Sequence, residues 1–467
     1  MFRIFNQYVS AKSLLLMVVE ALLIAGALFC AVKLRFWNNP IESAVYLAFP
    51  DFAVQTGTVV MVCVACFYFN DLYDLSTGYG PVESVLRVEQ SLGAASLLLG
   101  LLYFLLPHLL LSRGVFLIGM LLATIFVVLS RKLLDTAWRL TAPVQRVAIL
   151  GTGSLALEIA RELTRRPDLS MKLEGFLGGP LGRSEDEKIF GYPVLGGTHE
   201  MEAIVARAGI GKIIVALEDS RGSLPTRELV SLRVRGLRVD DASSVLAALT
   251  GRVALRTLKP SWFVFSEGFH RSKWNDLLKR ALDLFFGILG LLISLPVMTA
   301  VALVVRLDSK GPVIFRQNRV GLRGKPFEVL KFRSMRMDAE QNGAQWAVQN
   351  DHRVTRAGRF LRKYRLDELP QFINVIRGEM SLVGPRPERP EFVNELRKHI
   401  SYYDERHSVR PGLTGWAQVQ YQYGSTVEDA ARKLEYDLFY LKNMSIFFDT
   451  AVLFDTIRIV ITGHGSR

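Results

Sequence analysis

The sequence contains few cysteines and none of the patterns that mark nucleic-acid-binding proteins. Its three cysteines, Cys30, Cys63 and Cys66, all lie in apolar segments, so a disulfide framework is excluded and the C-x-x-C spacing has no second ligand pair for a metal. No helix-turn-helix, RNP or zinc module is present, so we expect no nucleic-acid partner. No small-residue cleavage site follows the first apolar run, which predicts an anchor and not a removed signal peptide.

The composition indicates a basic, membrane-associated chain. Its 467 residues are enough for two or three folded units, and half of them are hydrophobic. The formal net charge is +13. A basic balance combined with high mean hydropathy suits partners such as anionic lipid headgroups or polyphosphate substrates.

Four apolar segments occupy the first 140 residues. They cover residues 14–32, 52–69, 92–111 and 114–130, and each is near the length that spans a bilayer. The sequence therefore predicts a four-helix transmembrane bundle over residues 1–140. An even number of crossings and a mild excess of basic residues in the inside loops predict that both ends lie in the cytoplasm.

Residues 141–250 have the pattern of a Rossmann-like α/β domain. The apolar run 147–150 leads into Gly151-Thr-Gly153 and then a helix-periodic stretch, and further strands are predicted at 173–177, 212–217 and 237–240. The second strand ends in Gly178-Gly179 where a ribose-binding acid is expected, and Glu174 lies inside that strand. Gly151 and Gly153 are thus compatible with a nucleotide-binding turn or with a purely structural one.

A fifth apolar stretch follows a linker predicted at residues 251–275. It covers residues 284–305 and contains Pro296, which removes a backbone hydrogen bond and bends a helix. A true crossing would place the strongly basic region that follows outside the cytoplasm. We therefore predict a re-entrant membrane helix over residues 276–306 that breaks at Ser294 and Pro296 and returns to the same face.

The remaining chain is predicted to form a mainly helical catalytic domain, residues 307–443. Helices are expected at 356–364, 368–377, 389–399 and 426–442. Residues 444–467 are predicted to form an amphipathic helix and tail at the membrane interface, with a core-packing helix as the alternative.

Two adjacent acids in this domain, Asp367 and Glu368, stand among many basic residues. Neighbouring carboxylates repel, so a divalent metal or phosphate-binding cations must offset them. Arginine forks match phosphate oxygens, and an arginine between two prolines is held nearly rigid. The pattern predicts chemistry on a phosphate ester. The candidate phosphate-binding residues are Lys331, Arg333, Arg362 and Arg386.

Four motifs carry a resemblance to a known family. KFRSM at 331–335, LDELPQ at 366–371, GEMSLVGPRPE at 378–388 and VRPGLTGWAQV at 409–419 occur in this order. From about residue 279 to 462 the chain resembles the bacterial sugar transferases, the monotopic polyprenyl-phosphate glycosyl-1-phosphate transferases. The whole chain resembles the large form of that family, of the exopolysaccharide-priming type.

The resemblance implies a two-step reaction and a set of roles. Asp367 matches the nucleophile that attacks the β-phosphate of a UDP-sugar and releases UMP, and Glu368 matches a Mg²⁺ ligand. Polyprenyl phosphate, such as undecaprenyl phosphate, would then take the sugar phosphate from the aspartate. Arg410 and Trp416 match a segment associated with the nucleotide end. The family has Ser directly before the helix-breaking Pro, whereas Leu295 intervenes here.

The same resemblance implies the partners and the location. The partners are a UDP-sugar, polyprenyl phosphate and membrane lipid, with downstream glycosyltransferases and a second copy of the chain as candidates. The location is the bacterial inner membrane, as a multi-pass protein whose catalytic domain faces the cytoplasm. The sequence does not identify the sugar.

Two other functions compete with this interpretation. A membrane-anchored nucleotide-sugar dehydratase or epimerase needs a Tyr-x-x-x-Lys pair in a reductase domain, and that spacing occurs only from Tyr8 to Lys12. A non-enzymatic scaffold of glycan assembly would require Asp367 and Glu368 to be simple first-turn acids of a helix. The surrounding KFR and GPRP motifs argue against that role.

Overall fold

A computed structural model describes the fold of the chain. The described residues are 2–4, 7–9, 11–75, 81–141, 144–178, 188–217, 224–258, 260–266, 268–269, 272–336, 339, 351, 353–421, 424 and 426–462. The chain divides into two compact units, Met1–Val245 and Leu246–Arg467.

The first unit begins with a short antiparallel hairpin and a set of apolar helices. The hairpin pairs β1 (Phe2–Ile4) with β2 (Gln7–Val9). The helices are α1 (Ala11–Arg35), α2 (Pro40–Ala48), α3 (Pro50–Phe69), α4 (Pro81–Leu105) and α5 (Arg113–Thr141). Four of them, α1, α3, α4 and α5, are long and apolar enough to cross a membrane.

The four predicted apolar segments all fall in helices, but their limits differ. The third segment was predicted at 92–111, whereas α4 begins eleven residues earlier at Pro81 and ends at Leu105. Its first turns carry charged side chains, including Glu83 and Arg87, that a search for apolar runs passes over. A 3₁₀ turn at Pro107–Leu109 follows, because proline cannot continue the helix. The helix α2 and the terminal hairpin were not predicted.

One buried ion pair lies among these apolar helices. The guanidinium of Arg131 on α5 donates from Nε to the Glu20 carboxylate on α1 at 2.6 Å, and from Nη2 at 3.1 Å. Arg131 also donates to the carbonyl of Leu72, which follows α3. Charges buried in apolar surroundings are stable only when paired in this way. The pair therefore ties α1 and α5 to the end of α3.

An α/β sheet completes the first unit. Its strands are β3 (Gln145–Leu150), β4 (Met171–Leu177), β5 (Lys188–Ile189), β6 (Tyr192–Gly196), β7 (Lys212–Val215) and β8 (Arg238–Asp241). Its helices are α6 (Ser154–Arg165), α7 (Met201–Ala208), α8 (Thr226–Val234) and α9 (Ala242–Thr250), the last of which runs into the second unit. The sheet order is β5-β6-β4-β3-β7-β8, with only β5 antiparallel. The five parallel strands follow the 3-2-1-4-5 order of the Rossmann fold without its sixth strand. The sequence pattern predicted the Rossmann-like sheet but not the strands β5 and β6.

The glycine turn lies at the carboxyl end of β3. Gly151 has φ +113°, and a Cβ there would approach the carbonyl oxygen of Ala216 to 2.6 Å. Gly153 is the residue before α6. Close packing against the end of β7 is therefore enough to require glycine at position 151, whether or not the turn binds a nucleotide. Glu174 lies inside β4 as predicted, and its carboxylate faces Lys172 and Arg146 at 3.3 and 3.7 Å. Gly179 lies outside the described residues.

The second unit contains the predicted linker and catalytic regions. Its strands are β9 (Ile314–Val320), β10 (Pro326–Phe332), β11 (Ser381–Val383) and β12 (Gly412–Thr414). Its helices are α10 (Pro260–Phe265), α11 (Lys273–Asp308), α12 (Arg356–Lys363), α13 (Gln371–Arg377), α14 (Pro390–His399), α15 (Trp416–Gln420), α16 (Val427–Asn443) and α17 (Ile446–Thr462). The antiparallel β9–β10 hairpin and the parallel β11–β12 pair add sheet to a domain that was predicted as mainly helical.

The fifth apolar stretch belongs to the 36-residue helix α11. Ser294 and Pro296, the predicted break, lie inside it, and the helix continues to Asp308. The Ser294 hydroxyl donates to the carbonyl of Leu291 at 3.2 Å. Val301 and Val305, beyond the proline, pack in a core cluster with β10 and α12. This packing stabilises the helix beyond Pro296, where the proline removes one backbone hydrogen bond.

The last helix has one buried and one exposed face. On α17, Phe448 and Val452 are buried, and Asp449 bonds with Lys279 of α11 at 2.5 Å. Phe447 and Ile457 stay exposed. The predicted alternative of core packing thus holds for one face of this helix, and contact of the other face with a membrane interface stays a prediction.

Candidate active site

The second unit contains a cavity of about 450 Å³ around the two adjacent acids. Among the described residues its walls carry eleven Lys or Arg side chains and only four Asp or Glu side chains, an excess of seven positive charges. Such an excess favours a ligand with several negative charges, because a concave, partly buried surface concentrates the field of its cations. The cavity therefore fits a di- or polyphosphate.

The β9–β10 hairpin and α13 fix the position of one basic side chain, Lys331. The side chain of Asn374 on α13 is fully buried and bonds to the open edge of β10. Its Oδ1 accepts from the amide of Leu330 at 3.0 Å, and its Nδ2 donates to the carbonyl of Glu328 at 2.7 Å. The amide of one asparagine thus takes the place of a neighbouring strand. This contact sets Lys331 beside the turn that precedes α13.

That turn carries the two acids. Leu366–Glu368 form a 3₁₀ turn before α13, so the predicted helix at 368–377 begins three residues late, at Gln371. Arg365, directly before it, has φ +53°, which is uncommon for a residue with a side chain. Asp367 and Glu368 are 8% and 9% exposed. The left-handed residue turns the chain so that both carboxylates face the cavity.

Glu368 is held by two cations. Its Oε1 accepts from Nη2 of Arg386 at 2.8 Å and from Nζ of Lys331 at 3.2 Å. Burial raises the pKa of this carboxyl, but the charges of Arg386 and Lys331 and the bond from Arg386 outweigh burial and hold the pKa well below its usual range. Glu368 is therefore ionised at all physiological pH values.

Asp367 is in the opposite electrostatic situation. Burial and the adjacent Glu368 carboxylate raise its pKa above the usual value, against the opposing effects of Lys331, Arg362 and Arg386. Two neighbouring carboxyls with pKa values shifted in opposite directions are typical of sites where one acid reacts and the other organises charge. Asp367 is the carboxyl whose charge is less compensated.

The other predicted cations also reach the cavity. Nε of Arg362 on α12 donates to the Ser334 hydroxyl at 2.9 Å, and Arg333 donates to the carbonyl of Ser309 at 2.7 Å. Lys331, Arg333, Arg362 and Arg386 all line the cavity together with the two acids. The motifs that carry them are separated by up to 55 positions in the sequence, and the fold brings them to one site.

Arg410 and Trp416 lie elsewhere. Nε of Arg410 donates to the Gly378 carbonyl at 3.0 Å, and the side chain lies outside the cavity lining. Trp416 is buried, and its indole Nε1 donates to the Gly251 carbonyl at 2.7 Å. Its neighbours Ala417 and Gln418 line the cavity instead. The assignment of Arg410 and Trp416 to a nucleotide end stays a prediction without a contact to support it.

Several lining residues were not predicted. Arg406 is buried, donates to the carbonyl of Arg386 at 2.9 Å and to the Tyr403 hydroxyl at 2.7 Å, and pairs with Asp437 at 2.9 Å. It fixes the turn that presents Arg386. Gln418 has both amide atoms buried and without a hydrogen-bond partner in the described structure. Buried polar atoms without a bond are costly, so this unpaired amide beside the cavity is a feature that sequence reasoning could not have found.

The two acids fit a divalent metal only together with a phosphate ligand. Among the described residues no group of three or more His, Cys, Asp or Glu side chains could hold an ion. Mg²⁺ commonly takes one or two carboxylates, with water and substrate phosphates completing its octahedron. Asp367 and Glu368 supply that smaller set. The cations on Glu368 would compete with such an ion for its charge.

Comparisons with known proteins agree with the site. The model of the bacterial sugar transferase family matches residues 274–463, and one described as a CoA-binding domain matches residues 68–223. A UDP-glucose:undecaprenyl-phosphate glucose-1-phosphate transferase of Xanthomonas campestris pv. campestris is 28% identical over 97% of this chain and 94% of its own length.

Two further relatives are more similar over shorter regions. A UDP-N-acetylgalactosamine-undecaprenyl-phosphate N-acetylgalactosaminephosphotransferase of Aeromonas hydrophila is 47% identical to this chain. The matched region covers 47% of this chain and 51% of the relative, so the chain spans about half the length of that relative. An exopolysaccharide production protein PSS of Rhizobium leguminosarum bv. phaseoli is 42% identical over 40% of this chain and 96% of its own length. The chain belongs to the bacterial sugar transferase family.

Proposed function

We propose that the protein transfers a sugar 1-phosphate from a UDP-sugar to undecaprenyl phosphate or a similar polyprenyl phosphate and releases UMP. The observation that carries this proposal is the pair Asp367 and Glu368, buried in a cavity whose walls are strongly basic. The names of the relatives describe the same type of transfer. The neutral part of the donor would meet the uncharged residues Ala417, Gln418 and Ala430, which line the same cavity.

The first half of the reaction uses Asp367 as the nucleophile. A carboxylate oxygen of Asp367 attacks the β-phosphorus, and the bond from that phosphorus to the bridging oxygen breaks. UMP leaves with the electron pair, and the sugar phosphate stays on the aspartate as an acyl phosphate. The basic side chains Lys331, Arg362 and Arg386 hold the phosphate oxygens and stabilise the charge that develops on them. Glu368 keeps Lys331 and Arg386 in position through its two ion pairs.

The second half of the reaction regenerates the free carboxylate of Asp367. A phosphate oxygen of the polyprenyl phosphate attacks the same phosphorus, and the bond to Asp367 breaks. The product is a polyprenyl diphosphate sugar, and the carboxylate is free for another donor. Mg²⁺ held by Glu368, the metal ligand that the resemblance implies, would supply positive charge against the phosphate oxygens.

The contacts of α11 support a re-entrant arrangement in the membrane. At its start, Arg280 donates to the carbonyls of Val375 and Ile376 at the end of α13. Asp283 accepts from the amide of Leu382 at 2.9 Å. At its far end, Val305 packs against Phe332 and Leu361. Both ends of the helix are thus held by one folded domain, and a plain crossing would have to deliver them to opposite sides of a bilayer.

The outer face of the same helix supports membrane contact. Phe285, Leu292 and Ile293 are large, apolar and exposed. By length α11 could span a bilayer, so the anchoring of both of its ends in one domain, and not its length, favours re-entry. We propose that α11 enters the bilayer from one face and leaves by the same face. The four apolar helices of the first unit would form the transmembrane bundle, with both ends in the cytoplasm.

The biological role that fits best is the priming step of exopolysaccharide or related glycan synthesis in the bacterial inner membrane. Cytosolic UDP-sugars require the cavity to face the cytoplasm. Downstream glycosyltransferases would take up the lipid-linked product. Formation of a homodimer stays a separate prediction.

One assay tests the proposal. Detergent-solubilised protein is incubated with single UDP-sugars, with and without undecaprenyl phosphate, and UMP is measured. We expect UMP release from at least one donor and a lipid-linked sugar only when the acceptor is present. Glucose, galactose and N-acetylated donors should all be included. If no UDP-sugar yields UMP while the protein stays folded, the proposed function is wrong.

A further inference from the structure

The segment between α9 and α10 is buried against the catalytic domain. Arg252, Val253 and Ala254 are 8%, 2% and 6% exposed, values typical of a core and not of a connecting linker. We call residues 251–255 the brace. The match to the bacterial sugar transferase family begins at residue 274, so the brace lies outside the region of the sequence that defines this family.

The brace is bonded to two helices at once. The Trp416 indole donates to the Gly251 carbonyl at 2.7 Å, which fixes the start of α15. The Arg252 guanidinium donates to the Glu435 carboxylate at 2.7 Å, and the Leu255 amide donates to the same carboxylate at 3.2 Å. The Val253 amide donates to the backbone carbonyl of Glu435 at 3.0 Å.

These two helices form one wall of the cavity. Ala417 and Gln418 on α15 and Ala430, Lys433 and Asp437 on α16 line it. The three α16 positions are spaced by three and four residues, so they share one helix face. Glu435 lies about 200° around the helix from Lys433. The brace therefore contacts the wall from behind, on the side opposite the ligand.

We propose that the brace positions the α15–α16 wall for the UDP-sugar, with Arg252 as its positioning residue. The inference rests on the proposed function for its substrate. Without Arg252, the buried Glu435 carboxylate keeps only the partly exposed Arg432 and the Leu255 amide as partners among the described residues. A buried charge that loses its buried counter-ion favours a shift of the helix that carries it, or entry of water. A shift of α16 moves Lys433, and a shift of α15 moves Gln418. Both changes act on donor binding and leave Asp367 in place.

The test compares three variants in the full chain. Arg252→Met removes the charge at similar length, and Arg252→Lys restores a charge. Trp416→Phe removes the indole donor and part of the ring volume but keeps an aromatic ring in the cluster. Arg256→Met is the matched control, because Arg256 directly follows the brace and its side chain is exposed. The apparent KM for the UDP-sugar, the apparent KM for polyprenyl phosphate and the turnover number are measured for each.

We expect Arg252→Met to raise the KM for the UDP-sugar at least tenfold and to leave the KM for polyprenyl phosphate within twofold of wild type. Arg252→Lys should reverse at least half of this rise in KM, measured on a logarithmic scale. Trp416→Phe should raise the KM for the donor by threefold or more. Arg256→Met should behave as wild type. A merely structural role would lower the active fraction without separating the two KM values, and that outcome overturns the inference.

Hydrogen exchange gives a readout that does not depend on turnover. Amides of residues 416–421 and 427–437 should exchange faster in Arg252→Met than in wild type and in Arg256→Met. Equal exchange in all three proteins overturns the inference. If wild type releases no UMP from any donor, the proposed function fails, and the exchange result alone then decides whether the brace holds the wall.

Discussion

Replacing the nucleophile should separate catalysis from stability. Asp367→Asn keeps the size and hydrogen-bonding capacity of the side chain but removes the oxygen that would bond to phosphorus. Without a covalent route, the donor would have to react directly with the lipid phosphate in a site not arranged for it. We expect UMP release to fall at least about 1,000-fold, which corresponds to about 4 kcal/mol of transition-state stabilisation.

The stability of the same variant should move the other way. The pKa of Asp367 is raised in the folded protein by burial and by Glu368, so folding favours its protonated form. Its contribution to stability is present at low pH and is lost as the pH rises through the folded pKa. At neutral pH the ionised carboxylate therefore destabilises the fold, and asparagine removes that charge. We expect a melting temperature equal to or above that of wild type.

Three measurements check the prediction. Turnover is followed by UMP release, the intermediate is trapped with donor labelled at the β-phosphate, and unfolding is followed by fluorescence in detergent. Wild type should retain label and Asp367→Asn should not. Glu395→Gln, the same chemical change on the exposed face of α14, should match wild type in all three assays. UMP release by Asp367→Asn within tenfold of wild type would refute the covalent mechanism, and a clear drop in melting temperature would refute the electrostatic argument.

Three other perturbations test the remaining parts of the site. Glu368→Gln should lower turnover at least tenfold and raise the Mg²⁺ concentration needed for half-maximal activity, because it removes a charged oxygen ligand and the anchor of Arg386; full wild-type activity in EDTA would show that no metal is used. The value of kcat/KM should fall on acidification with an apparent pKa above 3.8, since the nucleophile must be ionised and its pKa is raised; an acid limb at or below 3.8 would contradict this. Cysteines introduced at Lys273 and Lys310, with the three native cysteines replaced, should both resist an impermeant thiol reagent in intact cells and react after lysis. Labelling at 310 alone in intact cells would show that α11 crosses the membrane.

The parts of the site that could be predicted from sequence lie on short contiguous motifs. Asp367 and Glu368 are adjacent, so their mutual repulsion and their need for cations are visible without a fold. Lys331, Arg333, Arg362 and Arg386 stand in motifs with unusual local chemistry, and all of them line the cavity. The apolar helices and the parallel sheet were predictable for a similar reason, because composition and periodicity are local properties.

The β9–β10 hairpin was not predictable in this way. Residues 314–320 include Arg316, Gln317, Asn318 and Arg319, and only one residue of the strand is buried. No alternation of apolar side chains therefore marks it as a strand. Its pairing partner is six to eighteen residues further along the chain, and the register from Val320 opposite Pro326 to Ile314 opposite Phe332 depends on that partner. Strand formation here follows from pairing and not from propensity.

Distant contacts also explain why the buried position of Trp416 and the place of Gln418 in the cavity lining were not predicted. In the sequence, the aromatic ring of Trp416 is the conspicuous group of its segment, and Gln418 has no distinguishing feature. In the fold, the ring is buried with Phe439 and Phe448 and donates to Gly251, a residue 165 positions earlier. Because α15 is anchored through the indole, Gln418, two residues further along the same helix, lies in the cavity lining. The residue that sequence makes prominent thus serves as the anchor, and the residue that it leaves inconspicuous lines the cavity.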